Sequence, residues 1–382
     1  MKKRMAMIGG GEGSFIGPVH RMAASLDGLT ELVAGAFSSD PELSRLSGAN
    51  IGLPPERVYS DWRDMLSVES KRAPELRPHF ITIVTPNYLH FDQIVESLKA
   101  GFNVVCDKPL AMNKEEAIKI EVLLKKSNKI LCLTHNYTGY PMVKKARELV
   151  FDGSLGEIRK VAVEYFQGWL STRVEDTDNR QAKWRADPKK AGESGCMADI
   201  GTHAFNLTEY ITGKRVERVF AQLNRVVKNR TLDDDGTVIL NFSDGTNGSL
   251  LASQVATGEE NSLNIKVYGT KGSIYWNQME PNSLVVRWID KPYEVYRSAT
   301  GFPQIGKTVG LHSRLPAGHP EGFIEAFANL YRNFALHIGA IEEGKREETF
   351  FDYPDITDGI RGMQFLDAIV KSSKSERWIN LD

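Results

Sequence analysis

Cysteine, net charge and long apolar runs are all scarce in this sequence, and each shortage excludes something. Three cysteines in 382 residues, Cys106, Cys132 and Cys196, are too few and too scattered for a disulfide framework or a zinc site. They fit a reducing compartment. A formal net charge of −1 leaves no basic field for nucleic acid or an anionic membrane. No apolar run approaches the ~18 residues that span a bilayer. The start, Met1-Lys2-Lys3-Arg4, has the basic end of a signal peptide, but the apolar stretch Met5-Ala6-Met7-Ile8 stops at Gly9. A signal peptide needs a longer apolar segment and a cleavage site, so the stretch reads as a first β-strand. A cytoplasmic protein without nucleic-acid or membrane partners is expected. Repeats and low-complexity tracts are missing too. What is present is 41% hydrophobic and 25% charged residues, the balance of a soluble globular chain. The length suffices for two domains with a large core.

The two halves have different rhythms. Up to residue 140, short apolar runs alternate with helical patterns. Strands are expected at Arg4–Ile8, Leu32–Phe37, Phe80–Val84, Asn103–Cys106 and Ile130–Thr134, with helices such as Phe91–Ala100 and Lys114–Lys126 between them. That alternation predicts a Rossmann-type doubly wound parallel sheet over residues 1–140. After the helix Met142–Phe151 come strands at Ile158–Phe166, Arg218–Val227, Thr237–Phe242, Gly248–Gln254, Ser262–Tyr268, Ser273–Trp276 and Ser283–Trp288. Ser243-Asp244-Gly245 and Gly269-Thr270-Lys271-Gly272 read as hairpin connections. Residues 141–382 are therefore expected to form an α+β domain with a large, mostly antiparallel sheet. Residues 291–316 carry the least pattern and read as a long loop. Helices return at Pro320–His337 and Asp355–Lys371.

The run from Ile8 through Gly17 (Ile8-Gly9-Gly10-Gly11-Glu12-Gly13-Ser14-Phe15-Ile16-Gly17) follows the first strand and precedes a helix. Glycines there let backbone amides approach a pyrophosphate at a helix N-terminus. The spacing departs from G-x-G-x-x-G: counted from Gly9 or Gly11, the third glycine falls on Ser14 or Ile16. Gly17 fits only with three extra loop residues. Gly9, Gly11, Ser14, Phe15 and Ile16 are the candidate cofactor contacts. After the second strand comes Phe37-Ser38-Ser39-Asp40, where an acid for a ribose 2′-hydroxyl is displaced by two serines and no Arg or Lys is adjacent. NAD(H) is favoured and NADP(H) stays open, since Ser38 and Ser39 offer hydroxyls to a phosphate. Asp40 doubles as a helix cap before Pro41.

Strand ends in such sheets face the ligand crevice. Thr85-Pro86-Asn87, with His90 a turn later, and Cys106-Asp107-Lys108-Pro109 lie at two of them. His135-Asn136-Tyr137 follows a third, where the chain crosses between domains. Farther on, Asp199 and His203 stand four residues apart in the run from Gly192, which places them about one helical turn apart on one face. Cys196 beside them completes only three potential metal ligands, and a closed site needs a fourth, so no metal is assigned.

With these motifs in place the sequence resembles the Gfo/Idh/MocA family of NAD(P)-dependent oxidoreductases, which act largely on sugars and cyclitols. The resemblance rests on the glycine-rich start with His20, on Thr85-Pro86-Asn87-Tyr88-Leu89-His90, and on Asp107-Lys108-Pro109. Trp184-Arg185, Asp199-Ile200-Gly201-Thr202-His203 and Asp355-Ile356-Thr357-Asp358-Gly359 complete it. It implies a Rossmann domain followed by an α/β domain whose open sheet mediates a homo-oligomer, dimer or tetramer. It also implies catalytic roles for Lys108, Asp199 and His203, and places Trp184 and Arg185 near the substrate. Thr85, Asn87, His90 and Lys108 then join the cofactor contacts, and Tyr137 the substrate contacts. A tryptophan covers a sugar face well and an arginine bonds hydroxyls, which suits a polyol or sugar substrate.

In that reading His203 takes the hydroxyl proton, Lys108 bonds the same oxygen and Asp199 orients the site. A hydride-shuttling enzyme with retained NAD is a close rival. A non-catalytic dinucleotide or sugar sensor on the same fold is the alternative from another class. The coincidence of Lys108, Asp199 and His203 argues against the sensor, which needs no proton-transfer set.

Overall fold

The computed structural model describes residues 2–345 and 351–381. The chain divides into two compact units, Met1–Asn136 with Phe323–Ile360, and Tyr137–Gly322 with Arg361–Asp382.

The first unit is built on five parallel strands: β1 (Lys3–Gly9), β2 (Thr30–Ala36), β3 (Phe80–Val84), β4 (Asn103–Cys106) and β5 (Leu131–Leu133). Their order is β2-β1-β3-β4-β5. The expected strands are all present, with ends shifted by up to two residues. Phe80-Ile81-Thr82-Ile83-Val84 is buried along its whole length, as a strand covered on both faces must be. The order reverses between β1 and β3, so the unit has a topological switch point where ligands bind beyond the strands' carboxyl ends.

The helix Phe323–Glu342 belongs to this unit. Phe327, Leu330, Tyr331, Phe334 and Ile338 recur at helical spacing and pack with Met5, Met7, Val19, Ala23 and Phe80. The single division expected after residue 140 is thereby redrawn. An apolar stripe of that size must be covered, and its cover is the helix Ile16–Leu26 together with the face of the parallel sheet, laid down some three hundred residues earlier in the chain.

The second unit carries nine strands: β6 (Ile158–Phe166), β7 (Val216–Asn224), β8 (Asp235–Phe242), β9 (Asn247–Ser253), β10 (Ser262–Gly269), β11 (Gly272–Asn277), β12 (Ser283–Trp288), β13 (Glu294–Arg297) and β14 (Ile379–Asn380). Their order is β13-β12-β11-β10-β6-β9-β8-β7-β14. Neighbours are antiparallel except β6 and β9. Both expected hairpin links are present, between β8 and β9 and between β10 and β11. Burial alternates along the strands, as in β8, where Gly236, Val238, Leu240 and Phe242 face in. The helices Pro141–Phe151 and Thr202–Thr212 pack on this sheet. The expected loop over 291–316 instead contains β13 and the short helix Lys307–Leu311. A four-residue edge strand holds too few alternations to be read from sequence. Among the described residues no helix is long and apolar enough to cross a membrane.

Candidate active site

β1 ends in a turn through Gly9 and Gly10, whose φ angles of +81° and +74° suit glycine. The closest approach is between Gly10 and Gly17. A Cβ on Gly17 would lie 2.2 Å from the Gly10 carbonyl oxygen and 2.4 Å from its Cα. The helix Ile16–Leu26 therefore starts in backbone contact with the loop, which is the role of the third fingerprint glycine. Gly17 fills that role across a longer loop. Gly10, which spacing alone overlooked, is its partner. The Gly11 amide donates to the Phe37 carbonyl at 3.2 Å and the Glu12 amide to Ser47 Oγ at 2.9 Å, tying the loop to the exit of β2. Ser14 Oγ accepts from the Gly17 amide at 3.2 Å. Phe15 is 68% exposed. The Phe15 and Ile16 amides stand where a helix has no internal acceptors for its donors. A dinucleotide fits this cradle: side-chain-free backbone, first-turn amides and the positive end of a helix at the switch point.

Beyond β2, Asp40 caps the helix Pro41–Ile51, accepting from Glu42 N at 2.9 Å and Leu43 N at 3.2 Å. Ser38 Oγ accepts from the Asp40 amide at 3.1 Å. At the exit of β3, Thr85 Oγ1 donates to Gln93 Oε1 at 2.6 Å, and Asn87 is buried at the start of the next turn.

His90 is fully buried. Its Nδ1 lies 2.8 Å from the Pro109 carbonyl oxygen and its Nε2 2.8 Å from that of Thr85. Burial pushes its pKa down. The neutral ring donates its one N–H to one of these carbonyls and packs between the exit of β3 and the turn carrying Lys108. The Lys108–Pro109 peptide is cis. Asp107 Oδ1 accepts from the Lys108 amide at 3.0 Å and from Thr134 Oγ1 at 2.8 Å, fixing this turn against the exit of β5. His135 is buried beside it. Its pKa falls to about 3, first through desolvation and then through the Lys108 ammonium. His20 is also fully buried, with Nδ1 2.7 Å from the Tyr331 hydroxyl.

In the second unit the Asp233 carboxylate receives the Gly195 and Met197 amides, each at 2.9 Å. That starts the segment containing Asp199 and His203. The expected α-helical turn between the two is corrected: Met197–Gly201 is wound as a π-helix, and α-helix begins at Thr202. Such turns are frequent at functional sites. Gly195 cannot carry a side chain, since a Cβ would meet the Asp233 carbonyl oxygen at 2.5 Å, and the close cap crowds the segment's start.

Asp199 anchors a hydrogen-bond network. Asp199 Oδ2 accepts from Arg185 Nε at 3.0 Å and Gln254 Nε2 at 2.9 Å. Arg185 Nη1 donates to Gln181 Oε1 at 2.7 Å and Trp184 Nε1 to the same oxygen at 3.2 Å, with the guanidinium 4.3 Å from the Trp184 ring centre. Gln254 also reaches Gln167 Oε1 at 3.3 Å, which receives Trp169 Nε1 at 3.0 Å. Gln167 Nε2 continues to Asn261 Oδ1 at 2.7 Å. Asn261 bonds both the Tyr165 hydroxyl, at 2.7 Å, and the Tyr137 hydroxyl, at 3.2 Å, and the two phenols bond each other. Burial raises the pKa of both phenols and keeps them protonated. His203 sits edge-on to Tyr137, ring centres 4.9 Å apart at 86°.

One continuous polar belt thus runs from Trp184 to Tyr137. Sequence reading found Tyr137, Trp184, Arg185, Asp199 and His203, but missed Gln167, Trp169, Gln181, Gln254 and Asn261. Most of these leave strand ends and links with no motif of their own. Cys196 is buried, and desolvation followed by Asp233 pushes its thiol well above the usual range. Among the described residues no group of three His, Cys, Asp or Glu is placed to hold a metal ion.

Comparison with known proteins agrees with both halves. Residues 3–135 match the oxidoreductase family described by its NAD-binding Rossmann fold, and residues 143–275 match the GFO/IDH/MocA C-terminal domain. The chain is 32% identical to the uncharacterized oxidoreductase YfiI of Bacillus subtilis (strain 168), over 97% of this chain and 94% of that protein. It is 26% identical to levoglucosan dehydrogenase of Pseudarthrobacter phenanthrenivorans, over 99% and 97%. An inositol dehydrogenase homolog from Azotobacter vinelandii, solved with NADH and myo-inositol, superposes with a TM-score of 0.92 at 33% identity, covering 100% of this chain and 98% of that one. The chain belongs to the Gfo/Idh/MocA family of NAD-binding oxidoreductases.

Proposed function

We propose that this oxidoreductase transfers hydride between NAD(H) and a secondary hydroxyl or ketone of a cyclic polyol or sugar, of inositol or glycoside type. The observation that carries the reading is the belt around Asp199, where a carboxylate, a guanidinium and carboxamides run together with the indoles of Trp169 and Trp184 tied in. Such groups offer donors and acceptors at the spacing of neighbouring hydroxyls, and an indole face matches the C–H face of a ring. The substrates named for the levoglucosan and inositol dehydrogenase relatives support the same class. NAD(H) is proposed over NADP(H) because neither Asp40 nor the two serines before it supplies a cation after β2.

The bound nicotinamide would accept or supply the hydride. His203 exchanges the proton of the substrate hydroxyl, a task imidazole performs near neutral pH. Tyr137, edge-on to the ring, restrains its plane. Lys108 donates a hydrogen bond to the reacting oxygen and favours negative charge on it. Asp199, anchored by Arg185 and Gln254, orients a neighbouring hydroxyl. Turnover of inositols, aldoses and glycosides with NAD, followed by nicotinamide absorbance, tests the reading. His203→Ala should lower turnover by roughly a hundred-fold or more while NADH binding persists. Near-normal turnover removes the proposed role.

A further inference from the structure

Past the exit of β2 the structure supplies a feature that the sequence motifs left unused. Val58 pairs in parallel with Gly35, and the Tyr59 amide donates to the Gly35 carbonyl at 2.9 Å. Ser44 Oγ accepts from the Phe37 amide at 3.0 Å and donates to the Tyr59 carbonyl at 2.7 Å. Residues 58–59 thus run beside β2 in the same direction. Ser60, Asp61, Trp62 and Arg63 emerge at the same carboxyl edge as Ser38 and Ser39. A dinucleotide held at the β1 loop extends its adenosine half over the end of β2, where the ribose hydroxyls are read. One strand spacing farther out, about 4.8 Å, runs the segment that leads into Trp62 and Arg63.

That position is built rather than loose. Asp61 caps the helix Trp62–Glu69, accepting from the Arg63 amide at 2.6 Å. Beneath it the fully buried Glu69 carboxylate receives Tyr59 Oη at 2.8 Å and Arg57 Nη2 at 2.6 Å. The Arg63 guanidinium carbon lies 4.1 Å from the Trp62 ring centre. Trp62 is half-buried and Arg63 exposed. Among the described residues no carboxylate pairs with the Arg63 side chain. Resting on the reading of this unit as the NAD(H) domain, we propose that Arg63, set over the Trp62 ring, is the platform on which the adenine of the dinucleotide stacks.

The chemistry favours a base over a phosphate. A guanidinium is planar and weakly hydrated, and it stacks on π-faces as a lysine ammonium does not. An indole behind it attracts the cation through its ring face. The carboxylates of Asp61 and Asp64 stand on the same helical turn, and Asp40 caps the helix leaving β2, so the surroundings oppose a second phosphate dianion. Stacking at the adenine also stands in for the missing carboxylate on the ribose: affinity for the adenosine half comes from the segment beyond β2.

The test is direct binding, followed by calorimetry and by quenching of tryptophan emission, of NADH, NADPH, ADP-ribose and nicotinamide mononucleotide. Arg63→Ala should weaken NADH and ADP-ribose by the same factor, about tenfold for the loss of one stacking face, and leave nicotinamide mononucleotide unchanged. Arg63→Lys, which keeps the charge without the plane, should not restore binding. Unaltered ADP-ribose binding in Arg63→Ala overturns the platform. A loss confined to NADPH overturns it too and assigns the guanidinium to a 2′-phosphate. If the unaltered protein binds neither NADH nor ADP-ribose, the cofactor reading itself falls, whatever Arg63 does.

Discussion

Replacing Gly17 by alanine adds one methyl group at the most crowded point of the nucleotide loop. Its carbon would lie 2.2 Å from the Gly10 carbonyl oxygen, 2.4 Å from its Cα and 2.6 Å from its carbonyl carbon. All three are backbone atoms, so no side chain can rotate away. Ordinary contact begins at 3.4 Å, so the start of the helix Ile16–Leu26 must retreat by roughly 1 Å, at an overpacking cost of about 1–3 kcal/mol. The same retreat would displace the Phe15 and Ile16 amides, which would hold the pyrophosphate of a bound dinucleotide. Losing one charge-assisted hydrogen bond costs about 1.5–3 kcal/mol, so NADH should bind roughly ten- to a hundred-fold more weakly. Fluorescence titration with NADH measures this, with circular dichroism confirming that the fold persists. Gly362→Ala is the control: its Cβ would meet nothing within 4 Å and its φ is not positive, so NADH affinity should be unchanged. A Gly17→Ala protein that binds NADH within twofold of the parent would falsify the close-approach argument.

Two further predictions concern stability. His20 is fully buried with a pKa lowered by desolvation to about 4. An unfolded histidine binds its proton at about 6.5, so this stabilisation is full above that pH and is lost as pH falls toward 4. Its size is roughly 3 kcal/mol. Urea unfolding at pH 7 and pH 4.5 should show the loss, and His20→Gln should reduce it; an identical loss in the variant would count against the assignment. Glu69 is fully buried and shared by Arg57, Arg72 and Tyr59. Glu69→Ala strands two guanidinium groups and should cost about 3–5 kcal/mol in the same assay, whereas a change below about 1 kcal/mol would mean that water replaces the carboxylate.

The parts legible in the sequence are those governed by neighbours along the chain. Phe80–Val84 is apolar but for Thr82, Ile158–Phe166 alternates, and both formed as expected. Lys108 lies at a strand end because the run before it stops at Asp107. The glycine run signalled a nucleotide loop although its spacing did not match. Less visible was anything requiring two distant segments. The Gly10–Gly17 contact explains the longer loop, but only the packed backbone reveals it. The capped, π-wound turn at Met197–Gly201 depends on Asp233, far along the chain. The burial of His90 between the Thr85 and Pro109 carbonyls likewise shows only in the folded chain.

Periodicity, turn chemistry and the order of motifs were therefore enough, by themselves, to determine a parallel nucleotide-type sheet, a mostly antiparallel second sheet and the identities of the main polar candidates. Tertiary structure alone decided that Phe323–Glu342 returns to cover the first sheet. It also decided which amides complete the belt around Asp199 and that Val58, a few residues ahead of Trp62 and Arg63, runs beside β2. The physical reason is the same in each case. Burial and hydrogen bonding are satisfied by whichever surface the folded chain brings near, and sequence separation carries no record of that choice.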